Sequence, residues 1–145
     1  MGYEVQVCEV APHPVAVARG PLVGGKIPEV MLGLIRQSWE FIKRSGVQSD
    51  GINVAIYKGF IEAGARVLTP FEGDGKVYCS STPAGLAATV AHIGSYSRLG
   101  AAHDAIVKYC EANGRKMTGV NWEVYGHWTD DESKLRTDVY YLLEG

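Results

Sequence analysis

The sequence predicts an α+β fold built from two tandem strand-helix-strand-strand modules, giving a mostly antiparallel sheet with two helices on one face. Three observations predict it. Two segments carry the three-and-four spacing of an amphipathic helix, short β-branched and aromatic runs bracket each of them, and the two halves of the chain present these elements in the same order.

Strands are expected first over about Tyr3 to Val10 and Pro14 to Arg19, where β-branched residues recur between turn formers. The first helix is predicted from about Pro28 to Ser45. Val30, Met31, Leu34, Ile35, Trp39 and Ile42 form its apolar stripe, Pro28 suits a first turn whose N–H needs no partner, and Gly46 suits a stop. Strands over about Ile52 to Tyr57 and Val67 to Phe71 follow, joined by a loop that ends at Arg66. The second half starts with a strand over about Leu86 to Ile93. Its helix is expected from about Tyr96 to Asn113, with Ser95 as cap, Leu99, Ala102, Ile106 and Cys110 facing inward, and Gly114 at the stop. Strands over about Trp122 to Trp128 and Asp138 to Leu143 close the chain, with Arg136 just before the last.

Aligning the halves sets Tyr57 against Tyr125 and Ala55 against Glu123. The modules would cover about 3–72 and 77–143 of one domain spanning 1–145. Two such sheets can pair edge to edge with both helices on one face, which makes a groove between the helices the expected pocket. Strand alternation places Glu123, Tyr125 and His127 on one side of their strand and Trp122, Val124 and Trp128 on the other. The pattern leaves open which side meets the helices.

Composition narrows the function classes. A net charge of −2 does not suit a grip on a polyanion, so direct nucleic-acid binding is not expected. No apolar run approaches the ~20 residues of a membrane helix, and the first ten residues lack an export signal's basic start, so the expectation is a cytoplasmic protein without a membrane partner. Cys8, Cys79 and Cys110 are far apart and odd in number, which suits reduced, mostly buried thiols rather than a disulfide framework or a zinc site.

Several motifs invite chemistry. GPLVGGKI, from Gly20 to Ile27, resembles a phosphate-binding loop, but Ile27 stands where the magnesium-binding hydroxyl belongs and Pro28 removes a backbone N–H, so a glycine loop is the better reading. His13, His92, His103 and His127 show no metal-ligand spacing, and neither a metal nor a cofactor is expected. Trp122-Glu123-Val124-Tyr125 is different, because a carboxylate inside an apolar, aromatic strand must face solvent or find a partner. Facing a groove, it would form with Tyr57 and Tyr125 a cage for a flat or bulky organic cation. Ala55 at the matching place in the first half shows that the halves differ at this one charged position.

The run Pro83-Ala84-Gly85, then Ala91 to Tyr96, Leu99, Ala102-His103, Gly114, Trp122 to Tyr125 and Thr137 to Tyr140 resembles the GyrI-like small-molecule-binding domain, which includes effector-binding domains of AraC-type and MerR-type multidrug regulators. The resemblance is dense from Pro83 to Leu143 and looser from Tyr3 to Phe71; Ser95 stands where the family often has proline. It implies paired strand-helix-strand-strand (SHS2) modules and a ligand groove in which Glu123 meets cationic or polarised aromatic ligands, Tyr125 forms a wall or donates a proton, and Tyr57 follows by the internal repeat.

Three functions compete on this basis. The first is a stand-alone binding protein for lipophilic, cationic or aromatic small molecules, acting by sequestration or sensing, with Glu123, Tyr125, Tyr57, Trp39, His103, Met31 and Ile35 as ligand contacts. The second, implied by the resemblance, is hydrolysis of cyclopropane-containing alkylating toxins, with Glu123 and Tyr125 as catalytic residues. The third is an interaction that protects DNA gyrase. A monomer or a homodimer fits all three.

Overall fold

The computed structural model describes residues 3–22 and 27–145, so Val23 to Lys26 of the glycine loop lie outside the described residues. In chain order the elements are β1 (Gln6–Val10), β2 (Pro14–Gly20), α1 (Ile27–Ser45), β3 (Ser49–Tyr57), β4 (Ile61–Val67), β5 (Val77–Ser81), β6 (Gly85–Ile93), α2 (Leu99–Ala112), β7 (Met117–Tyr125) and β8 (Arg136–Leu143). Single 3-10 turns stand at Tyr96–Arg98 and Glu132–Lys134. The chain forms two compact units, a continuous one of residues 12–82 and a discontinuous one of residues 1–11 with 83–145. Each is a four-stranded antiparallel sheet carrying one helix, so the fold is α+β and duplicated.

In the continuous unit the strand order is β3-β4-β2-β5. Phe41 and Ile42 of α1 pack on Ala16, Ala65, Val67 and Val77, which fixes the helix-facing side of the sheet. The expected loop before Arg66 and strand over Val67 to Phe71 are corrected here. The strand is β4, Ile61–Val67, with Arg66 inside it. Its middle residues, Glu62, Ala63, Gly64 and Ala65, carry no β-branched signal, because a central strand pressed against α1 needs small side chains more than β propensity. Pro70 cannot continue the ladder, and Phe71 turns instead onto the Phe41 ring, 5.3 Å between centroids.

Glu62 is fully buried on the sheet face away from α1. Arg19 Nε donates to it at 2.8 Å, Ser80 Oγ at 2.9 Å, and Lys58 Nζ lies at 3.0 Å. The Arg19 guanidinium in turn lies over the Tyr78 ring, 4.2 Å from its centroid. Burial alone would raise the Glu62 pKa, but the hydrogen bonds from Lys58, Ser80 and Arg19 outweigh it and hold the carboxyl below its ordinary value of 4.5. A carboxyl lowered on folding stabilises above its unfolded pKa, and that contribution fades as pH falls through the folded value. Glu62→Gln is therefore expected to cost about 2 kcal/mol at pH 7, with the gap from the parent protein closing below about pH 4. Urea denaturation at both pH values reads this, and an equal gap at both would refute it.

The discontinuous unit orders its strands β1-β6-β8-β7. Thus the first strand lies in the sheet of the second repeat, and β5, which has no strong apolar run to announce it, lies in the sheet of the first. Ala102, Ile106 and Cys110 of α2 pack on Ala88, Val90, Val139 and Leu143. Cys8 and Cys79 are exposed and only Cys110 is buried, which corrects the expectation for the thiols. The repeat extends to backbone detail. β3 breaks register between Ser49 and Asn53, and β7 does so between Met117 and Asn121, with Gly51 and Gly119 at positive φ of 84° and 97° inside the two irregularities. Those glycines are separated by the same interval as Tyr57 and Tyr125. No helix among the described residues is long and apolar enough to cross a membrane.

Candidate functional site

The face that the sequence left open is settled by register. Glu123 stands directly across from Val139, and Tyr125 across from Thr137. Val139 belongs to the core beneath α2, so Glu123 and Tyr125 project to the helix side. Trp122 projects the other way and stacks flat on its cross-strand neighbour Tyr140, ring centroids 4.9 Å apart and planes 6° from parallel.

On the helix side Glu123 is only 6% exposed and anchors a chain of hydrogen bonds. Tyr125 Oη donates to its Oε1, His103 Nε2 lies 2.6 Å from its Oε2, and Tyr141 Oη lies 2.6 Å from His103 Nδ1. Four residues from three elements, α2, β7 and β8, thus meet in one polar network walled by rings. Tyr96 packs edge-on against Tyr125 at 5.7 Å, and His103 against Tyr141 at 5.5 Å. Burial raises the Tyr141 pKa, with the charges of Glu123, Asp104 and Cys110 adding to the effect, and burial raises that of Tyr96. Both hydroxyls therefore keep their protons at neutral pH.

Thr137, across the ladder from Tyr125 and His92, is fully buried, and its Oγ1 finds no hydrogen-bond partner among the described residues. Leaving a hydroxyl unpaired costs about 1–3 kcal/mol, so Thr137→Val, which keeps the shape, is expected to raise stability by about 1 kcal/mol. A lower urea midpoint for the valine variant would contradict this.

The other expected contacts lie in the continuous unit. Tyr57 Oη donates to Met31 Sδ at 3.5 Å, and Trp39 Nε1 donates to Asn53 Oδ1 at 2.7 Å, so α1 and β3 bring these residues together. Ile35, Ala55 and Ala65 occupy the places that His103, Glu123 and Tyr141 hold in the other repeat. The backbone is duplicated; the polar network is not. An open cleft of about 750 Å³ lies apart from the network, lined by Tyr3, Ile93, Ser97 and Arg98 among others.

A family model of the GyrI-like small-molecule-binding domain matches residues 4–144. The chain belongs to the GyrI-like family. Its fold is similar to that of the EcmrR C-terminal domain, at 22% identity and a TM-score of 0.78, covering 99% of each chain. A hydrolase from Listeria innocua is similar at 10% identity and a TM-score of 0.59, over 99% of this chain and 93% of that one. SAV2435, solved bound to tetraphenylphosphonium, is similar at 10% identity and a TM-score of 0.57, over 100% of this chain and 95% of that one. No curated protein shows significant similarity.

Within this GyrI-like chain, Glu123, Tyr125 and His103 come together, whereas His127, expected on the same side, lies exposed beyond the end of β7. The sequence reading missed Tyr141 and Tyr96. Alternation from Val139 could have found Tyr141, since the two share a face of β8. Tyr96, in a single 3-10 turn, ends the run Ala91 to Tyr96 that carries the resemblance, but no periodicity gives it a place at the site.

Proposed function

We propose that this GyrI-like protein binds lipophilic small molecules, cationic or aromatic, and serves to sequester or sense them, with Glu123 as the anchor for positive charge. One observation carries the reading: a carboxylate almost wholly removed from water, on the helix side of its sheet, among the rings of Tyr96, Tyr125 and Tyr141. A carboxylate in a poorly hydrated site attracts positive charge more strongly than one in water, and a bulky cation whose charge is spread over apolar groups gains from both the charge and the ring faces. Tyr57, Trp39, Met31 and Ile35 are assigned as apolar and aromatic ligand contacts, so Trp39→Ala should weaken charged and uncharged ligands alike.

Calorimetry with tetraphenylphosphonium and the uncharged triphenylphosphine oxide tests the proposal. The cation is expected to bind at least about tenfold more tightly, a difference of about 1.4 kcal/mol. Equal affinities, or no binding of either, would sink it. Hydrolysis of a strained cyclopropane is less well supported, because both Glu123 oxygens already hold donors, Tyr125 and His103. Neither oxygen takes a proton from water without giving up a hydrogen bond. Incubation with a cyclopropane-containing alkylator is expected to yield no water adduct.

A further inference from the structure

We propose that His103 is the positioning residue that sets the charge Glu123 presents at this site: neutral, it adds no charge beside the carboxylate, and protonated, it offsets the carboxylate's charge. The consequence for ligands rests on the binding reading above; the assignment of charge rests on hydrogen-bond donors alone.

A carboxylate only accepts hydrogen bonds. Oε1 of Glu123 accepts from Tyr125, and Oε2 faces His103 Nε2, so the imidazole must carry a proton on Nε2. In the neutral ring Nδ1 is then the acceptor, and Tyr141, held protonated by its surroundings, is its donor. The chain of donors runs one way, from Tyr141 through His103 to Glu123, and these three groups together carry one negative charge. Protonating Nδ1 requires only that the Tyr141 hydroxyl rotate and accept, since a tyrosine oxygen does both. The second state, a neutral ion pair, is reached with no backbone movement.

The surroundings favour this coupling. His103 meets Glu123 from β7 and Tyr141 from β8; the other titratable groups around the network are Tyr125 from β7, Asp104 and Cys110 from α2, and Tyr96 from the 3-10 turn. On α2 the residues one turn away, Leu99, Gly100, Ile106 and Val107, carry no charge. From β6, His92 faces α2 but is held by the Tyr3 hydroxyl and the Ser95 carbonyl, each at 2.9 Å. Nor does the fold itself need the network, because Ile35, Ala55 and Ala65 fill the same places in the other repeat.

Two measurements test it. Long-range ¹H–¹⁵N spectra of histidine-labelled protein should show the Nε2–H tautomer at pH 8, with the His103 titration midpoint falling in Glu123→Gln. An Nδ1–H tautomer, or a midpoint indifferent to Glu123, overturns the proposal whether or not a ligand is bound. In calorimetry from pH 8 to pH 5, tetraphenylphosphonium, whose own charge cannot titrate, should lose about tenfold in affinity, while triphenylphosphine oxide stays within about twofold; one proton limits the slope to tenfold per pH unit. His103→Gln should flatten the profile and keep the cation bound at pH 5, and Tyr141→Phe, which removes the acceptor of the protonated ring, should move the loss to lower pH. An unchanged slope in His103→Gln refutes the charge-setting role. Failure of tetraphenylphosphonium to bind at any pH refutes the ligand reading, and the spectra then decide the role of His103 independently.

Discussion

Glu123→Gln is expected to weaken tetraphenylphosphonium binding about thirtyfold, about 2 kcal/mol, and to leave an uncharged aromatic ligand within about twofold. The substitution keeps volume and shape and removes the charge, so any loss confined to cations reports electrostatics rather than packing. It also replaces one acceptor oxygen with an NH₂ group. That group must face either the Tyr125 hydroxyl or His103 Nε2, both donors in the native arrangement. Stability should accordingly fall by about 1–2 kcal/mol, which a thermal melt separates from the binding effect. Retained cation affinity in a folded Glu123→Gln protein would remove the anchor from the proposed function.

The largest effect on folding is expected at Gly64. A Cβ placed there would lie 1.9 Å from the Ala16 carbonyl oxygen on the neighbouring strand and 2.7 Å from Ser38 Oγ on α1. Ser38 is itself fully buried and shares its hydroxyl proton between the carbonyls of Leu34 and Ala63. Backbone on one side and a committed hydroxyl on the other leave no soft direction for relief. Gly64→Ala should cost about 4 kcal/mol or more, enough to deplete the folded state. Soluble yield and urea denaturation read this directly. A variant within about 1 kcal/mol of the parent would mean that β2 and β4 separate more easily than their ladder implies.

These two positions mark how far the sequence could be read. The helices were legible because an amphipathic stripe repeats over many residues, and α1 and α2 fall where the spacing of Leu34 with Ile42 and of Ala102 with Ile106 places them. Glu123 was legible for the opposite reason, as one charged residue in an otherwise apolar, aromatic strand. β4 was not, because its small residues are dictated by what packs against them, and propensity measures a lone residue rather than its neighbours. Tyr141 escaped for a different reason: alternation separates it from Tyr140, but only the register of β7 on β8 shows that one ring stacks on Trp122 while the other reaches His103. The two chain-order modules likewise hid the placement of β1 with β6, since strand partners far apart in sequence leave no local trace.

That placement bears on synthesis at the ribosome. The continuous unit, residues 12–82, is made from one uninterrupted stretch and has all four of its strands as soon as β5 emerges. The discontinuous unit waits. β1 is translated first yet finds β6 only after the whole continuous unit has been made, and β8, which lies between β6 and β7, is its last strand to arrive. Domains fold as units in the order they are completed, so the half without the Glu123 network is expected to fold first and shield its apolar surface early. The half that carries the network closes last, when Tyr141 on the final strand reaches His103.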